Sequence, residues 1–140
     1  MKFSLPNKLT NLKWLNLFGV DYEARNGKKS NWVFASRKEM PNLGESPLAP
    51  DAVVIIPILV GQPNKLVMIK EFRIPLGDYE YGFPAGLIDK GENPLVCAKR
   101  ELKEETGLDV TEVLHVSPVC VSSAGLSDES VVYVVCECSD

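Results

Sequence analysis

Residues 86–108 read GLIDKGENPLVCAKRELKEETGL and are the most informative stretch of the 140-residue chain. Its last part is predicted to be a helix, because Asn93 is a favourable N-cap residue and Pro94 suits the first helical position. Gly107 can end the helix, since glycine readily takes the left-handed conformation found at helix C-termini. The stretch therefore predicts one helix between Asn93 and Gly107.

The predicted helix has an acidic face. At 3.6 residues per turn, Glu101, Glu104 and Glu105 lie on one face, and Lys99 and Lys103 lie on the opposite one. Like charges this close repel by roughly 0.2–0.5 kcal/mol per pair on an exposed helix. A solvated surface remains one interpretation of such a face. A bound cation is the other, and oxygen ligands favour Mg²⁺, with Mn²⁺ as the alternative, over zinc.

The spacing around this face is specific. In order, it runs Gly86, five residues, Glu92, seven residues, Arg100-Glu101-Leu102, one residue, Glu104-Glu105, one residue and Gly107-Leu108. These are all the fixed positions of the Nudix box. The chain therefore resembles Nudix hydrolases, which cleave a nucleoside diphosphate linked to another group. The resemblance implies an α/β fold, the Nudix α/β/α sandwich with a mixed sheet.

Composition narrows the function classes. A net charge of −4 argues against a nucleic-acid polymer as partner, because such binding needs a basic surface. The four cysteines form no CxxC pair, and the sequence has no signal peptide and no apolar run of membrane length. We therefore expect a cytoplasmic protein without a membrane partner.

Residues 1–50 are predicted to form a small antiparallel β appendage and a linker. After a leader at 1–11, β-like runs at 12–23 and 30–37 flank Asn26-Gly27, a hairpin signal. A two-residue loop there would pair Trp32 with Asp21 and put Trp14 about 23 Å further along. Residues 38–50, with three prolines, are predicted to be the linker.

Residues 51–140 are predicted to form the Nudix domain. We expect a strand buried on both faces at 52–60, its hairpin partner at 66–73 after a turn at 61–65, and a loop at 74–80. Further strands are predicted at 83–88, 110–121 and 130–138, with a loop at 122–129. One helix leaves a sheet face uncovered, so we expect a further C-terminal helix beyond Asp140 and an incomplete chain.

Two flanking segments narrow the resemblance. Residues 71–86, EFRIPLGDYEYGFPAG, and the loop 123–129 are similar to the ADP-ribose (ADP-sugar) pyrophosphatase branch. That branch implies a homodimer with exchanged N-terminal strands and an adenine held between tryptophans, here Trp14 and Trp32. The alternative interpretation is that each tryptophan packs the appendage onto the core.

The resemblance also implies roles for single residues. Glu101, Glu104, Glu105 and the backbone carbonyl of Ala85 would bind the metal, and an Arg100–Glu92 ion pair would support the box. Arg73 and Arg37 would meet the diphosphate, a task that suits guanidinium, and Glu129 would contact the ribose side.

The sequence departs from the branch at three points. Gly82 stands where glutamate is usual, and Ala124 stands where proline is usual. No residue can be assigned as general base, which in the family lies on a loop beyond Asp140. Glu80 is a candidate replacement for the carboxylate at Gly82. His115 is predicted to be a partly buried strand residue and not a ligand.

The function that the resemblance implies is metal-dependent hydrolysis of ADP-ribose or a related ADP-sugar to AMP and a sugar phosphate. A metal-activated water would attack the pyrophosphate. Two alternatives stay open. One is a Nudix hydrolase for another nucleoside diphosphate derivative, and the other is a non-catalytic module that binds ADP-ribose.

Overall fold

The computed structural model describes residues 1–44, 49–62 and 65–140. Parts of the predicted linker (45–48) and of the predicted turn (63–64) lie outside the described residues. The chain divides into two compact units. The first contains Met1–Leu48 and Val121–Ser130, and the second contains Ala49–Cys120 and Val131–Asp140.

The first unit is built on one antiparallel sheet. Its strands are β1 (Lys2–Phe3), β2 (Asn7–Lys8), β3 (Asn16–Glu23) and β4 (Lys29–Ser36). Strand β3 pairs with the other three. The predicted leader at 1–11 is therefore partly wrong, because two short strands form there. Phe18, Val20 and Phe34 are the buried core, and the rings of Phe18 and Phe34 stack with centroids 6.0 Å apart.

The hairpin forms, but with a register one residue away from the prediction. The Ala24 N–H donates to Lys28 O and the Gly27 N–H donates to Ala24 O, both at 2.9 Å. Gly27 has φ 79°, so three residues form the loop, with glycine in the left-handed position. Trp32 therefore pairs with Val20 and not with Asp21. Trp14 precedes β3 and lies on no strand, which corrects the predicted strand start.

The second unit contains a mixed sheet, a separate hairpin and one helix. Apart from Val121 and Ser130, which belong to the first unit, it contains β5 (Ala52–Leu59), β6 (Ile69–Arg73), β7 (Asp78–Gly82), β8 (Ala85–Leu87), α1 (Pro94–Thr106), β9 (Asp109–Val116), β10 (Cys120–Val121) and β11 (Ser130–Ser139). The sheet order is β10-β11-β5-β8, with β9 also on β11. Strands β5 and β11 are parallel, whereas β8 and β9 pair antiparallel with β5 and β11 respectively. The predicted α/β class with a mixed sheet is confirmed.

Three predictions about the strands need correction. Strand β5 alternates, with Val53, Ile55 and Pro57 buried and the residues between them half-buried, so it is not enclosed on both faces. The segment 66–73 is the predicted hairpin partner of β5 only at its start, where Leu66 bridges Ile58 and the Val67 N–H donates to Pro57 O at 3.0 Å. Strand β6 pairs instead with β7, which takes the second half of the predicted loop at 74–80.

The core of the second unit lies between α1 and the sheet. Cys97, Ala98 and Leu102 of α1 are buried with residues of β5 and β11. Burial raises the pKa of the Cys97 thiol to about 12, as expected for a cysteine that packs as an apolar residue. His115 lies in β9 as predicted, but its side chain is exposed. In the described part of the chain, no helix has both the length and the apolar character needed to cross a membrane.

Candidate active site

The caps of α1 place the acidic residues. The Asn93 side chain accepts a hydrogen bond from Leu95 N at 2.8 Å, and Gly107 closes the helix with φ 76°. Both caps match the prediction. Because Cys97, Ala98 and Leu102 form the buried stripe, Glu101 lies at its margin with a side chain only 14% exposed, whereas that of Glu104 is 59% exposed. The acidic face is therefore only partly solvated.

Gly86 allows Glu101 to come close to the strand β8. A Cβ atom at position 86 would overlap the carboxyl group and Cγ of Glu101. Any larger residue would therefore push the glutamate away. This close approach is a physical reason for glycine at the first position of the motif.

Glu105 meets the same strand one residue earlier. The Ala85 N–H donates to Glu105 Oε2 at 3.1 Å. Partial burial of the carboxyl group raises the pKa of Glu105, the Ala85 N–H opposes this, and the negative charges of Glu101 and Glu71 raise it further. Two box carboxylates thus contact adjacent residues of β8, where their like charges oppose ionisation.

Arg100 lies at the centre of a closed network. Its Nε and NH2 groups donate to the two oxygens of Glu92 at 3.1 and 3.0 Å, so the predicted Arg100–Glu92 ion pair is present. Its NH1 group donates to Glu101 at 2.6 Å and reaches Glu104 at 3.5 Å. Hydrogen bonds from Arg100 and from the Asp89 N–H lower the pKa of Glu92 to about 2. The box loop is thereby held on the helix.

The donor set of this region suits a hard divalent cation. Glu101, Glu104 and Glu105 offer only oxygen ligands, as Mg²⁺ and Mn²⁺ prefer, and the approach of Glu101 to Gly86 is a cradle that a Cβ atom would fill. Among the described residues, however, no three acidic, histidine or cysteine side chains converge as a ready metal site. Arg100 partly neutralises Glu101 and Glu104 instead, so a bound cation would have to compete with it.

Arg73 lies on the charged face of the β6–β7 hairpin. It pairs with Glu71 at 3.1 Å and with Glu80 at 3.5 Å. Its positive charge lowers the pKa of Glu105, which Glu71 raises, so the three charges interact. Sequence reasoning did not select Glu71 as a site residue. Its position two residues before Arg73 could have indicated this role, because residues i and i+2 lie on the same face of a strand.

Arg37 and Glu129 meet in the first unit. Arg37 Nε lies 3.1 Å from Glu129 Oε1. Beside them, Ser36 Oγ donates to Asp128 Oδ2 at 3.1 Å, and Lys38 Nζ lies 3.3 Å from the same oxygen. Sequence reasoning found the arginine and Glu129 but missed Ser36 and Asp128, since nothing local relates two segments 92 residues apart.

The two tryptophans have different surroundings. Trp32 lines a cavity of about 640 Å³ within the first unit, together with the rings of Phe3, Tyr22 and Phe34. Trp14 is not among the described residues that line it. Its side chain is exposed, and Lys13 Nζ lies 4.3 Å from the centroid of its ring. Within one chain, the structure therefore does not bring the two indoles into one pocket.

Comparison with known proteins relates the chain to one family. The NUDIX domain profile matches residues 49–139. The ADP-sugar pyrophosphatase of Mus musculus is 37% identical over 118 residues, which are 83% of this chain and 51% of that protein. The ADP-ribose pyrophosphatase of Saccharomyces cerevisiae is 34% identical over 128 residues, 89% of this chain and 53% of that protein. The chain thus spans about half the length of these curated relatives.

A solved structure gives the same relationship. The crystal structure of an ADP compounds hydrolase superposes with a TM-score of 0.71 at 25% sequence identity. The match covers 98% of this chain and 69% of that one. The likeness therefore extends to residues that precede the matched domain.

Proposed function

This chain belongs to the NUDIX family, and on that premise we propose that it hydrolyses the pyrophosphate bond of ADP-ribose or a related ADP-sugar to AMP and a sugar phosphate. The packing of Glu101 on Gly86 and of Glu105 on Ala85 carries this proposal, because it holds two box carboxylates at one strand. The relatives named for ADP-sugar and ADP-ribose support the choice of substrate.

Glu101, Glu104, Glu105 and the carbonyl of Ala85 would hold the metal, Mg²⁺ with Mn²⁺ as the alternative. When bound, such an ion lowers the pKa of a water molecule and neutralises charge on phosphate oxygens. The protein residues around it have separate tasks. Arg100 and Glu92 keep the box loop against α1, and this loop follows β8, the strand that contains Gly86.

Substrate recognition is assigned to Trp14, Trp32, Arg37, Arg73 and Glu129. The guanidinium groups of Arg37 and Arg73 bind the diphosphate, and each already lies beside a carboxylate that limits its movement. The aromatic cavity at Trp32 suits the adenine ring, for which stacking contributes about 1–3 kcal/mol per face.

Trp14 completes the adenine site from a second copy of the chain. Because Trp14 does not line the cavity of its own chain, a homodimer with exchanged N-terminal strands supplies the second indole. Sedimentation of the full-length protein should show a dimer. No nucleic-acid polymer is required as partner, and the four free cysteines support a reducing, cytoplasmic setting.

The test is the release of AMP from ADP-ribose in the presence of Mg²⁺. Glu105→Gln should abolish release, because it removes a metal ligand but keeps the shape of the side chain. Glu112→Gln is the matched control, since Glu112 is exposed on β9 and lies outside the site. Absence of hydrolysis of every nucleoside diphosphate derivative by the full-length protein would overturn the proposal.

A second candidate is hydrolysis of another adenine-containing diphosphate. The structural neighbour is named for ADP compounds in general, and the cavity at Trp32 specifies a planar ring but no sugar. A substrate panel separates the two candidates. Preference for a dinucleotide over ADP-ribose, with Trp32→Ala raising KM for both, would favour the second.

A further inference from the structure

The end of β4 is fastened to a distant loop by successive contacts. Residues 35–38 meet residues 126–129, which follow more than 85 positions later. In order, the contacts are Ala35 N to Leu126 O at 2.8 Å, Ser36 Oγ to Asp128 Oδ2 at 3.1 Å, Arg37 Nε to Glu129 Oε1 at 3.1 Å and Lys38 Nζ to Asp128 Oδ2 at 3.3 Å. We call this set the β4 clamp, and it lies entirely within the first unit.

Hydrogen bonds of the neighbouring residues hold the backbone on both sides of Arg37. Ser36 is 1% exposed, and its hydroxyl donates to Asp128 while it accepts from Lys38 N at 3.1 Å. Ala35 bridges Ser127 in parallel fashion. Arg37 therefore projects from a segment that is held on both sides.

In the described part of the chain, one contact holds the guanidinium of Arg37. Its Nε–H donates to Glu129, and Glu129 is the one carboxylate among the described residues that pairs with it. The two terminal NH2 groups are the pair that binds phosphate in bidentate fashion. The side chain of Arg37 as a whole is 49% exposed, so a ligand can approach it.

We infer that Glu129 is a positioning residue for Arg37, and not a contact of the sugar. It holds the guanidinium by Nε, so that the terminal NH2 pair is presented to the anionic part of a ligand. This inference depends on the proposed function, because it takes the diphosphate as the group that Arg37 binds. Fixing a long side chain before binding is worth about 2–12-fold in affinity.

The experiment is a double-mutant cycle on the full-length protein. The Kd for ADP-ribose is measured by calorimetry in EDTA, and KM and kcat are measured with Mg²⁺. Arg37→Ala should weaken binding about 10–100-fold, since it removes charge-assisted hydrogen bonds. Glu129→Ala should weaken it about 2–12-fold, and the double variant should bind no more weakly than Arg37→Ala alone.

Three further measurements separate positioning from other roles. Glu129→Gln keeps an acceptor for Nε and should recover most of the affinity. ADP, which carries no second sugar, should lose affinity in Glu129→Ala by the same factor as ADP-ribose. Glu39→Ala is the matched control, because Glu39 pairs with Lys8 in the same unit and its side chain is 92% exposed. It should leave Kd, KM and the thermal midpoint unchanged, and Glu129→Ala should raise KM more than it lowers kcat.

The outcomes distinguish this inference from the proposed function. Additive effects of the two substitutions, or a loss confined to ADP-ribose, would overturn positioning and leave the pyrophosphatase proposal standing. Coupled effects on Kd without any turnover would support positioning and overturn the enzymatic proposal. Absence of both binding and turnover would overturn both.

Discussion

Arg100 and Arg37 are both paired with glutamate, but their surroundings differ. The Arg100 guanidinium donates to Glu92, Glu101 and Glu104, so all its nitrogens are engaged within the box. By contrast, Nε alone holds the Arg37 guanidinium among residues 1–44, 49–62 and 65–140. A fully bonded arginine stabilises a loop, whereas a singly held one is restrained but keeps donors for a ligand. The structure thus gives Arg100 a structural task, and the proposed function gives Arg37 a task in recognition.

The largest effect is expected at Gly86, whose replacement disrupts the network around Arg100. Gly86→Ala would displace Glu101, because the new Cβ atom overlaps its carboxyl group. Overpacking of this kind costs about 1–3 kcal/mol in the free energy of unfolding, and AMP release should fall at least about 100-fold. Denaturant unfolding and product assays measure the two effects.

Gly82→Ala is the matched control for unfolding, since a Cβ atom there meets nothing within 4 Å. An unfolding free energy for Gly86→Ala equal to that of Gly82→Ala would show that Glu101 can move aside without cost.

The next largest effect separates the two arginines directly. Arg100→Ala should lower the thermal midpoint by several degrees, because Glu92 and Glu101 lose the cation that neutralises them. Arg37→Ala should leave the midpoint nearly unchanged and should instead weaken ADP-ribose binding. Differential scanning calorimetry on both variants tests the contrast. If both substitutions lowered the thermal midpoint equally, Arg100 would contribute no more to the stability of the fold than Arg37 does.

A smaller effect is expected in the pH dependence of stability. In the folded protein the pKa of Glu92 is lowered from 4.5 to about 2. A lowered folded pKa means that the Glu92–Arg100 pair stabilises the fold above about pH 4.5 and that this contribution declines as the pH falls toward 2. Wild type should therefore exceed Glu92→Gln in stability at neutral pH, and the gap should narrow below pH 4.5.

Urea unfolding of both proteins at several pH values measures this gap. A gap that stays constant between pH 7 and pH 3, about the range in which urea unfolding is practical, would show that the pair does not titrate with folding.

The smallest effect concerns the third arginine, Arg73. Its neighbour Glu71 raises the pKa of Glu105, although partial burial is the main cause. Glu71→Gln should therefore lower the Glu105 pKa slightly in the metal-free protein, while Arg73→Gln should raise it. NMR titration of the Glu105 side-chain carboxyl in EDTA can follow both shifts. An unchanged pKa in both variants would place the hairpin charges too far away to act on Glu105.

What the sequence predicts here depends on the distance between partners along the chain. The helix caps and the Arg100–Glu92 pair all lie between Glu92 and Gly107, so local spacing determines them. The predicted β3–β4 register was wrong because, of Asn26 and Gly27, only Gly27 takes the left-handed conformation. The loop therefore has three residues and not two. The β4 clamp joins segments 92 residues apart, and only the fold brings them together.

The partner of β6 was mistaken for a related reason. Alternation of apolar and polar residues indicates that a strand has two different faces, but it does not identify the strand with which it pairs. The residues of β7 lie in a segment whose sequence resembles a loop. The site residues outside the box, Trp14, Trp32, Arg37, Arg73 and Glu129, came from resemblance. The pairing of Arg73 with Glu71 and Glu80, and of Arg37 with Glu129, became visible only in three dimensions.

The parallel pairing of β5 with β11 affects how this unit can fold. Strand β11 lies between β5 and β9, and its register runs from Val131 opposite Ala52 to Cys138 opposite Leu59. About 80 residues separate the partners, so this contact closes a long loop and is expected to form slowly. During synthesis, the box helix is translated well before the strand that completes the core beneath it. Until Val131–Cys138 emerge, the core cluster that contains Cys97, Ala98 and Leu102 lacks the apolar side chains of β11, so part of this cluster stays exposed in the nascent chain.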